Sequence, residues 1–400
     1  MKGAAGHVPS HAALQPAIDI LADLVNFPSV SLTPNDAIVS YIEGVMRDNG
    51  MRCQRNAHED GQRFNLLGSA GPSGPGGILL SAHMDVVPAT PDGWTGDPFT
   101  LRRDGGKFYG RGAVDMKGFI AIVLASLPSI TARADDLTMP FHIALTFDEE
   151  TGFFGAAQIP AFFAELDLRP DIAIIGEPTG MQPFVGHKGG MELTSIVTGT
   201  SGHASQPAGK VNAVYFAARL VDAMRHYADE LASKPVAHSP FDPPHTSLSV
   251  GVMKGGEARN IIPDQCSIDW EIRAHPGDDP HHHLQQITAF ITDRLIPEMK
   301  AIDPQADIET RMLCDAPPLE ARPDGAAANL VARLWTNEAP QVVSFGTDGP
   351  FFQQAGMDTV IFGPGGMAQM HQPDEFITET ALAEGLQFID RLAAHMRGER

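Results

Sequence analysis

The chain has 400 residues, 43% of them hydrophobic, and its 49 acidic side chains outnumber its 28 lysines and arginines, giving a formal net charge of -21. The apolar fraction is ordinary for a globular protein, and the length exceeds what one compact core usually holds, so we expect two domains or one domain with an insertion. The acidic balance excludes the basic footprint of a nucleic-acid-binding protein and favours cations as partners.

The cysteines and the N-terminus indicate the compartment. Cys53, Cys266 and Cys314 are too few and too scattered for a disulfide framework or a cysteine-rich zinc site. His7 and Pro9 interrupt the apolar run that a secretory signal needs, and no stretch reaches the ~18–20 apolar residues of a membrane span. We therefore predict a cytoplasmic protein with neither a membrane nor a nucleic acid as partner.

The first half of the chain alternates strand-like and helix-like runs. Helical spacing predicts a helix over Pro16–Phe27, and MKGFIAIVLASLPSI reads as a buried helix. The strand-like runs are FNLLG, ILLSAHMD, FHIALTFDE and DIAIIGEP. Strands that are apolar on both faces and alternate with helices predict an α/β domain, with a mostly parallel sheet and helices on both faces.

The pattern changes after about Val185. MELTSIV and SIDWEI alternate apolar and polar residues, which is typical of antiparallel strands with one solvated face, and a helical stretch lies between them. The α/β pattern resumes with QVVSFG, DTVIFGPG and a closing helix over Thr378–Met396. We therefore predict a main α/β domain in two parts, 1–186 and 298–400, with an inserted α+β lid or dimerisation domain over 187–297.

Histidines and acidic residues follow the ends of several predicted strands. They are His83 and Asp85 in SAHMD, Asp115 in AVDMKG, Glu149 and Glu150 in FDEE, Glu177 in GEP, and His371 in MHQPDEF. Because functional groups gather outside the carboxyl ends of strands in an open α/β sheet, we expect these side chains at one edge. Each one alone would be assigned a structural role. Together they predict a pair of divalent ions bridged by a carboxylate.

The three consecutive acids of FDEE need a local explanation. On a continuing strand Glu149 and Glu150 would face opposite ways, so we predict a turn there, made easy by Gly152. Asp148 is left with a loop-structuring or supporting role. The Asp85 carboxylate is predicted to accept a hydrogen bond from the second ring nitrogen of His83 and so fix its tautomer.

Three other features are predicted to be structural. Adjacent residues on a helix cannot converge on one ion, so the HHH run at His281–His283 is predicted to be a solvated turn. His142 is predicted to be a core residue within a strand. The loop GPSGPGG does not precede a helix, so we do not expect it to cradle a phosphate.

The motif set resembles that of the di-zinc aminoacylase and carboxypeptidase family, which includes acetylornithine deacetylase and succinyl-diaminopimelate desuccinylase. The matching stretches are SAHMDVVPA, GRGAVDMKG, TFDEETG, IIGEPTG and MHQPDEF, with SGHASQP and ARNIIPD in the inserted segment. The resemblance covers nearly the whole chain and is greatest to acetylornithine deacetylases. One departure is Thr347–Asp348 in SFGTDGPFF, where those enzymes usually carry Thr-Glu and where Thr-Asp looks more like the wider family.

The resemblance implies a role for each matched residue. It places His83 and Glu177 on one zinc ion, Glu150 and His371 on the other, and Asp115 between them. It implies that Glu149 is the general base, that His203 stabilises the oxyanion, often from the partner subunit, and that Asn260, Arg273 and Gly365 in the FGPGG loop bind substrate. The implied cofactors are two divalent ions, zinc first, with cobalt or manganese as alternatives. The implied assembly is a homodimer through the inserted domain.

The activity that the resemblance implies is hydrolysis of the amide bond of an N-acyl amino acid. The first expectation is conversion of N-acetylornithine to ornithine and acetate, a step of arginine biosynthesis. A desuccinylase, another N-acyl amino acid amidohydrolase, and a dipeptidase or carboxypeptidase of the same family stay open as alternatives. A non-catalytic binding protein on this scaffold ranks lower, since the base Glu149 is present.

Overall fold

The computed structural model describes residues 11–343 and 345–399. Its strands, in chain order, are β1 (Arg52–Ala57), β2 (Phe64–Ala70), β3 (Ile78–His83), β4 (Arg102–Asp104), β5 (Lys107–Tyr109), β6 (Phe141–Thr146), β7 (Ile172–Ile175), β8 (Phe184–His187), β9 (Gly190–Thr198), β10 (Gly202–His203), β11 (Ser247–Gly255), β12 (Ile261–Ile262), β13 (Gln265–Arg273), β14 (Asp307–Ala316), β15 (Gln341–Val343), β16 (Asp358–Ile361) and β17 (Phe376–Thr378).

The α-helices are α1 (His11–Val25), α2 (Asp36–Asp48), α3 (Lys117–Thr131), α4 (Glu149–Gly152), α5 (Ile159–Glu165), α6 (Ala213–Ala232), α7 (Pro280–Phe290), α8 (Ile296–Lys300), α9 (Ala326–Leu334), α10 (Gly349–Gln354) and α11 (Glu379–Met396). A π-helical turn, Ile291–Leu295, joins α7 to α8. Within the described ranges, no helix has both the length and the apolar character needed to cross a bilayer.

The first of two compact units is built around an eight-stranded sheet. Its strand order is β1-β2-β6-β3-β7-β16-β8-β15, and the central strands β6, β3, β7 and β16 run parallel. Helix α3 is buried along most of its length because its sequence is apolar on every side, and it packs against α1 and α11. The predicted α/β class with a mostly parallel sheet is confirmed.

The second unit comprises His187–Ala321 with Val342–Gly346. Its antiparallel sheet has the order β11-β13-β9-β14, and side chains such as Leu193, Leu220 and Trp270 form a core between the sheet and α6. By contacts this unit runs from His187 past residue 297 to Ala321. The reason is β14, which pairs along the whole of β9. This strand is difficult to predict from sequence because exposed apolar residues such as Met312 interrupt the alternation of apolar and polar residues.

The HHH run lies in helix α7, not in the solvated turn that the sequence predicted. His281 and His282 are exposed, whereas His283 is buried and its Nδ1 lies 2.8 Å from the Tyr227 hydroxyl. His142 is buried in β6, as predicted.

Candidate metal centre

Three parallel strands bring acidic and imidazole side chains to one edge of the large sheet. Strand β3 ends at His83, β6 is followed by Glu149 and Glu150, and β7 is followed by Glu177. Because β6, β3 and β7 are adjacent and parallel, their carboxyl ends lie side by side. Asp115 lies just before the start of α3. All five side chains are largely buried.

A small separate sheet brings the sequence-distant His371 segment to this edge. In the order β17-β5-β4, Phe376 pairs with Tyr109, so the residues before β17 lie beside the loop that leads to Asp115. The buried Glu375 secures the two segments to each other. Its Oε2 accepts from Arg111 Nη1 at 2.7 Å and its Oε1 accepts from the Asp115 amide at 3.1 Å.

Glu375 accepts two further backbone amides of the same loop. The Gly112 amide donates to Oε2 at 3.0 Å and the Val114 amide donates to Oε1 at 2.9 Å. Gly112 has φ +81°, a conformation that favours glycine and allows the loop to wrap around the carboxylate. The sequence analysis assigned Glu375 no role. The only signal was an acid in MHQPDEF, directly before an apolar strand.

Asp115 lies between the two histidines. Its Oδ1 is 3.1 Å from His83 Nε2, and its Oδ2 is 3.2 Å from His371 Nε2. On one side Glu177 Oε1 lies 3.9 Å from His83 Nε2, and on the other Glu150 Oε2 lies 2.9 Å from His371 Nε2. Two three-residue groups thus share Asp115, and within each the potential ligand atoms lie within 4.8 Å of one another.

The electrostatics of the centre favour bound cations. Burial and the nearby Asp115 raise the pKa of Glu150, and for Glu177 the same causes raise the pKa well above its ordinary value. Burial opposes a charged His83, yet its hydrogen bond to Asp115 and the surrounding carboxylates raise its pKa well above the usual range. Hydrogen bonds to Asp115 and Glu150 raise the pKa of His371 to about 10. The cluster thus draws in positive charge, and its imidazole and carboxylate donors suit zinc, cobalt or manganese.

The turn after β6 divides the three consecutive acids. Asp148 adopts a left-handed conformation with φ +54°, and Glu149 then begins the one-turn helix α4. The predicted turn is present, but its bend falls at Asp148 and not at Gly152, which lies inside α4. Asp148 Oδ1 accepts the Leu32 amide at 2.7 Å, and its Oδ2 pairs with Arg63. Asp148 therefore structures the loop.

The Asp85 carboxylate does not make the hydrogen bond to His83 that the sequence predicted. His83 Nδ1 lies 2.9 Å from the backbone oxygen of Asp85, whereas the Asp85 carboxylate lies 3.7 Å from that nitrogen. The carboxylate instead accepts the amides of Glu149 at 3.1 Å and Glu150 at 3.3 Å, and the Ser31 hydroxyl at 2.7 Å. A backbone carbonyl fixes the histidine, so the side chain is free to hold the start of α4.

The remaining predicted site residues lie outside this cluster or at its border. In the first unit, Gly365 has φ +89°, and a Cβ added to it would lie 2.3 Å from Val114 Cγ2. In the second unit His203 and Asn260 are exposed. The backbone oxygen of Asn260 accepts a hydrogen bond from the Ala204 amide, directly after His203, at 2.9 Å. Arg273 is ion-paired with Glu271 at 2.6 Å.

Asp348 adds another buried acid to the first unit. Thr146 Oγ1 donates to its Oδ2 at 2.5 Å, and burial raises the pKa of Asp348 to about 7. Its charge contributes to the raised pKa values of Glu149 and Glu177. The aspartate at this position thus acts on the centre through its electrostatics.

The family model of peptidase family M20/M25/M40 matches residues 79–395. This chain belongs to that family. It is an M20 metallohydrolase homologous to acetylornithine deacetylase, as the motifs predicted. The acetylornithine deacetylase of Yersinia pseudotuberculosis serotype O:1b (strain IP 31758) is 35% identical over 394 residues, covering 96% of this chain and 98% of the relative.

Solved structures of M20 enzymes share the fold. A tripeptidase from Staphylococcus aureus subsp. aureus Mu50 has a TM-score of 0.70 at 22% identity, covering 96% of this chain and 99% of its own. A dinuclear metal binding peptidase of the M20 family from Bacillus subtilis has a TM-score of 0.63 at 14% identity, covering 98% and 100%. At these identities the comparison supports the fold alone.

Proposed function

We propose that this M20 enzyme hydrolyses N-acetylornithine to ornithine and acetate with two zinc ions. The observation that carries the dinuclear centre is the position of Asp115, whose two carboxylate oxygens each face a different histidine. The substrate rests on the 35% identity to acetylornithine deacetylase over 96% of this chain. Cobalt or manganese would suit the same donors.

The proposed ligands follow from the two groups that share Asp115. His83 and Glu177 would hold one ion, Glu150 and His371 would hold the other, and Asp115 would bridge them. Such a pair of ions, when bound, polarises the scissile carbonyl and lowers the pKa of water toward ~7. Two divalent ions would carry a charge of +4 beside the three carboxylates of Asp115, Glu150 and Glu177, and this would offset the cost of burying neighbouring carboxylates.

Glu149 is the carboxylate left to move protons. It belongs to neither three-residue group, and its Oε2 lies 4.0 Å from His83 Nε2. Burial, together with the charges of Glu177 and Glu150, raises its pKa well above the ordinary value although His83 opposes this, and a high pKa suits a group that must accept a proton. Glu149 takes a proton from the attacking water at Oε2 and returns it to the leaving amine.

Residues of the second unit are proposed to complete substrate recognition. The SGHASQP resemblance supports His203 as the oxyanion donor, and the matched Asn260 and Arg273 as contacts to the substrate backbone and α-carboxylate. We also propose that this unit forms a homodimer through which His203 serves the partner's centre. Mixed His203→Ala and Glu149→Gln subunits that exchange should then recover activity, and exchange without recovery would contradict the trans role.

A substrate panel tests the proposed activity. The zinc-loaded protein is assayed with N-acetylornithine, other N-acetyl amino acids, succinyl-diaminopimelate and dipeptides, and kcat/KM is compared. We expect N-acetylornithine to be the best substrate. A preference for the succinyl compound or for dipeptides would replace this assignment with another M20 activity.

Glu149→Gln supplies the active-site control for that panel. It should retain metal and fold but lose at least ~10²-fold in kcat, a typical size for loss of a general base. Glu384→Gln is the matched control, since Glu384 is half-buried on α11 and belongs to neither metal-ligand group. Near-normal turnover by Glu149→Gln would contradict the assigned base.

A further inference from the structure

His371 differs from the other proposed metal ligands in exposure and in backbone conformation. Its side chain is 47% exposed, against 6% or less for those of His83, Asp115, Glu150 and Glu177. Its φ is +60°, in the left-handed region that residues with a side chain rarely adopt. Such conformations persist only where the surrounding structure holds them. Contacts outside the ligand groups must therefore keep His371 in place.

The ring of His371 lacks the second hydrogen bond that orients His83. His83 Nδ1 lies 2.9 Å from the backbone oxygen of Asp85, the arrangement usual for a histidine that binds a metal through its other nitrogen. His371 Nε2 faces Asp115 and Glu150, but its Nδ1 makes no hydrogen bond to any residue that the structure describes. The position of this ring therefore depends on the backbone segment that carries it.

That segment is anchored by the side chain of Asp374. Residues 371–374 lie between the short 3-10 turn Met367–Gln369 and β17, outside any helix or strand. Asp374 Oδ1 accepts the Thr95 amide at 3.0 Å, and its Oδ2 accepts the Thr95 hydroxyl. These hydrogen bonds lower the pKa of Asp374, which keeps the carboxylate ionised. The segment is thus joined to a loop, 91–97, that lies almost 280 positions away in the sequence.

Two further contacts fit the loop and the segment to each other. Arg102 Nη2 on β4 donates to Asp374 Oδ1 at 3.4 Å, and its guanidinium carbon lies 4.0 Å from the centre of the Tyr109 ring on β5. In the loop, Gly93 has φ +82°, and a Cβ added to it would lie 3.2 Å from Pro373 Cγ. A larger residue there would crowd the segment that follows His371.

We propose that Asp374, held by Thr95, is a positioning residue that keeps His371 where it can bind an ion together with Glu150. This inference rests on the proposed dinuclear centre. Asp374 belongs to neither ligand group, so it acts through the backbone that leads to His371. Loss of its carboxylate weakens the ion position that contains His371 and spares the position that contains His83.

Three substitutions isolate the Asp374 contact. Asp374→Gly removes the carboxylate and still allows a positive φ. Asp374→Asn is the conservative variant, because its amide oxygen can accept the Thr95 amide and its NH2 group can donate to the Thr95 hydroxyl. Asp97→Gly is the matched control. Asp97 also accepts an amide, that of Phe99 at 3.0 Å, and a threonine hydroxyl, that of Thr100 at 2.9 Å, but both donors lie close to it in the sequence.

Each substitution is made in two backgrounds that should keep a single ion position. Glu177→Gln should leave the position that contains His371, and Glu150→Gln should leave the one that contains His83. Zinc affinity of the full chain is measured by competition with a zinc-binding dye. In the Glu177→Gln background, Asp374→Gly should weaken binding ~10–100-fold, as for other supporting contacts of metal ligands. It should leave affinity unchanged in the Glu150→Gln background.

The outcomes separate positioning from general destabilisation. Asp374→Asn and Asp97→Gly should change affinity in neither background. Equal affinities of Asp374→Gly and Asp97→Gly in the Glu177→Gln background, or equal losses for Asp374→Gly in both backgrounds, would overturn the proposal.

Thr95 provides a milder test that does not depend on the folding of Asp374→Gly. Thr95→Val removes the hydroxyl and keeps the amide, and should weaken zinc binding about 2- to 10-fold in the Glu177→Gln background, as expected for one hydrogen bond. Thr95→Ser should bind normally. Unchanged affinity of Thr95→Val would count against the proposal in the same way. Fewer than two zinc ions bound per unsubstituted chain would instead contradict the proposed dinuclear centre.

Discussion

Replacing Glu375 by glutamine should destabilise the protein and weaken the metal centre together. Its carboxylate accepts four hydrogen bonds, two at each oxygen, from Arg111 and from three amides of the loop that carries Asp115. An amide of the same shape keeps one accepting oxygen and turns an NH2 group toward two donors. Half of these bonds are therefore lost, and Arg111, which is 4% exposed, is left without its counter-charge.

The expected size follows from these contacts. Removing one partner of a buried ion pair costs about 3–5 kcal/mol, so the apparent melting temperature of Glu375→Gln should fall by roughly 10 °C. Because the lost amide contacts position Asp115, affinity for zinc should also fall ~10–100-fold, as for other supporting contacts of metal ligands. Thermal unfolding is measured on chelator-treated protein, and affinity is measured by competition with a zinc-binding dye.

Two further variants separate the causes. Glu384→Gln should change stability by no more than about 0.5 kcal/mol, as expected for a substitution away from such contacts. Arg111→Met combined with Glu375→Gln should regain part of the lost stability, because no uncompensated charge remains buried. Stability and zinc affinity of Glu375→Gln that match those of Glu384→Gln would refute this reasoning.

Three other outcomes are expected. Chelation should abolish hydrolysis, and zinc or cobalt should restore it. The metal centre would be contradicted by full activity of a protein that elemental analysis shows to be metal-free. Asp85→Asn should lower kcat about 10-fold with little change in KM, because one fewer acceptor holds the Glu149 and Glu150 amides. The control is Asp97→Asn, which should leave kcat unchanged, since Asp97 is exposed and accepts only the local Phe99 amide and Thr100 hydroxyl. Burial lowers the pKa of His142 to about 4. As pH falls, the His142 side chain is protonated in the unfolded state before it is protonated in the folded state. The free energy of unfolding should therefore decrease between pH 6.5 and pH 4, by up to about 3 kcal/mol. Denaturant titrations of His142→Asn at several pH values should lack this decrease.

The positions of the metal-centre side chains were predictable because strand ends are local features. His83 ends a short apolar run, Glu150 and Glu177 follow two others, and these runs are typical of buried strands. Parallel strands place their carboxyl ends at one edge. The supporting contacts were not predictable in the same way. Arg63 pairs with Asp148 across 85 positions of sequence, and Glu375 binds the loop before Asp115 across 260. The spacing of apolar residues along the sequence does not indicate such long-range pairs.

The errors have equally specific causes. The Asp85 carboxylate was assigned to His83 from its spacing, yet a backbone carbonyl two residues on already satisfies that nitrogen, which sequence spacing does not distinguish from a carboxylate. The second unit was ended at residue 297 because β14 exposes Met312 and Leu313 and so lacks a clean alternation. In each case a tertiary hydrogen bond or strand pairing decided the outcome.

The shared Asp115 has a thermodynamic consequence for how the centre fills. A single carboxylate that faces both His83 and His371 would make occupancy of the two proposed ion positions one coupled equilibrium, in which the first ion changes the charge available to the second. Substitution of Asp115 should therefore disturb both proposed positions at once. Substitution of Glu177 or Glu150, each of which belongs to one group only, should then give an enzyme that binds a single ion.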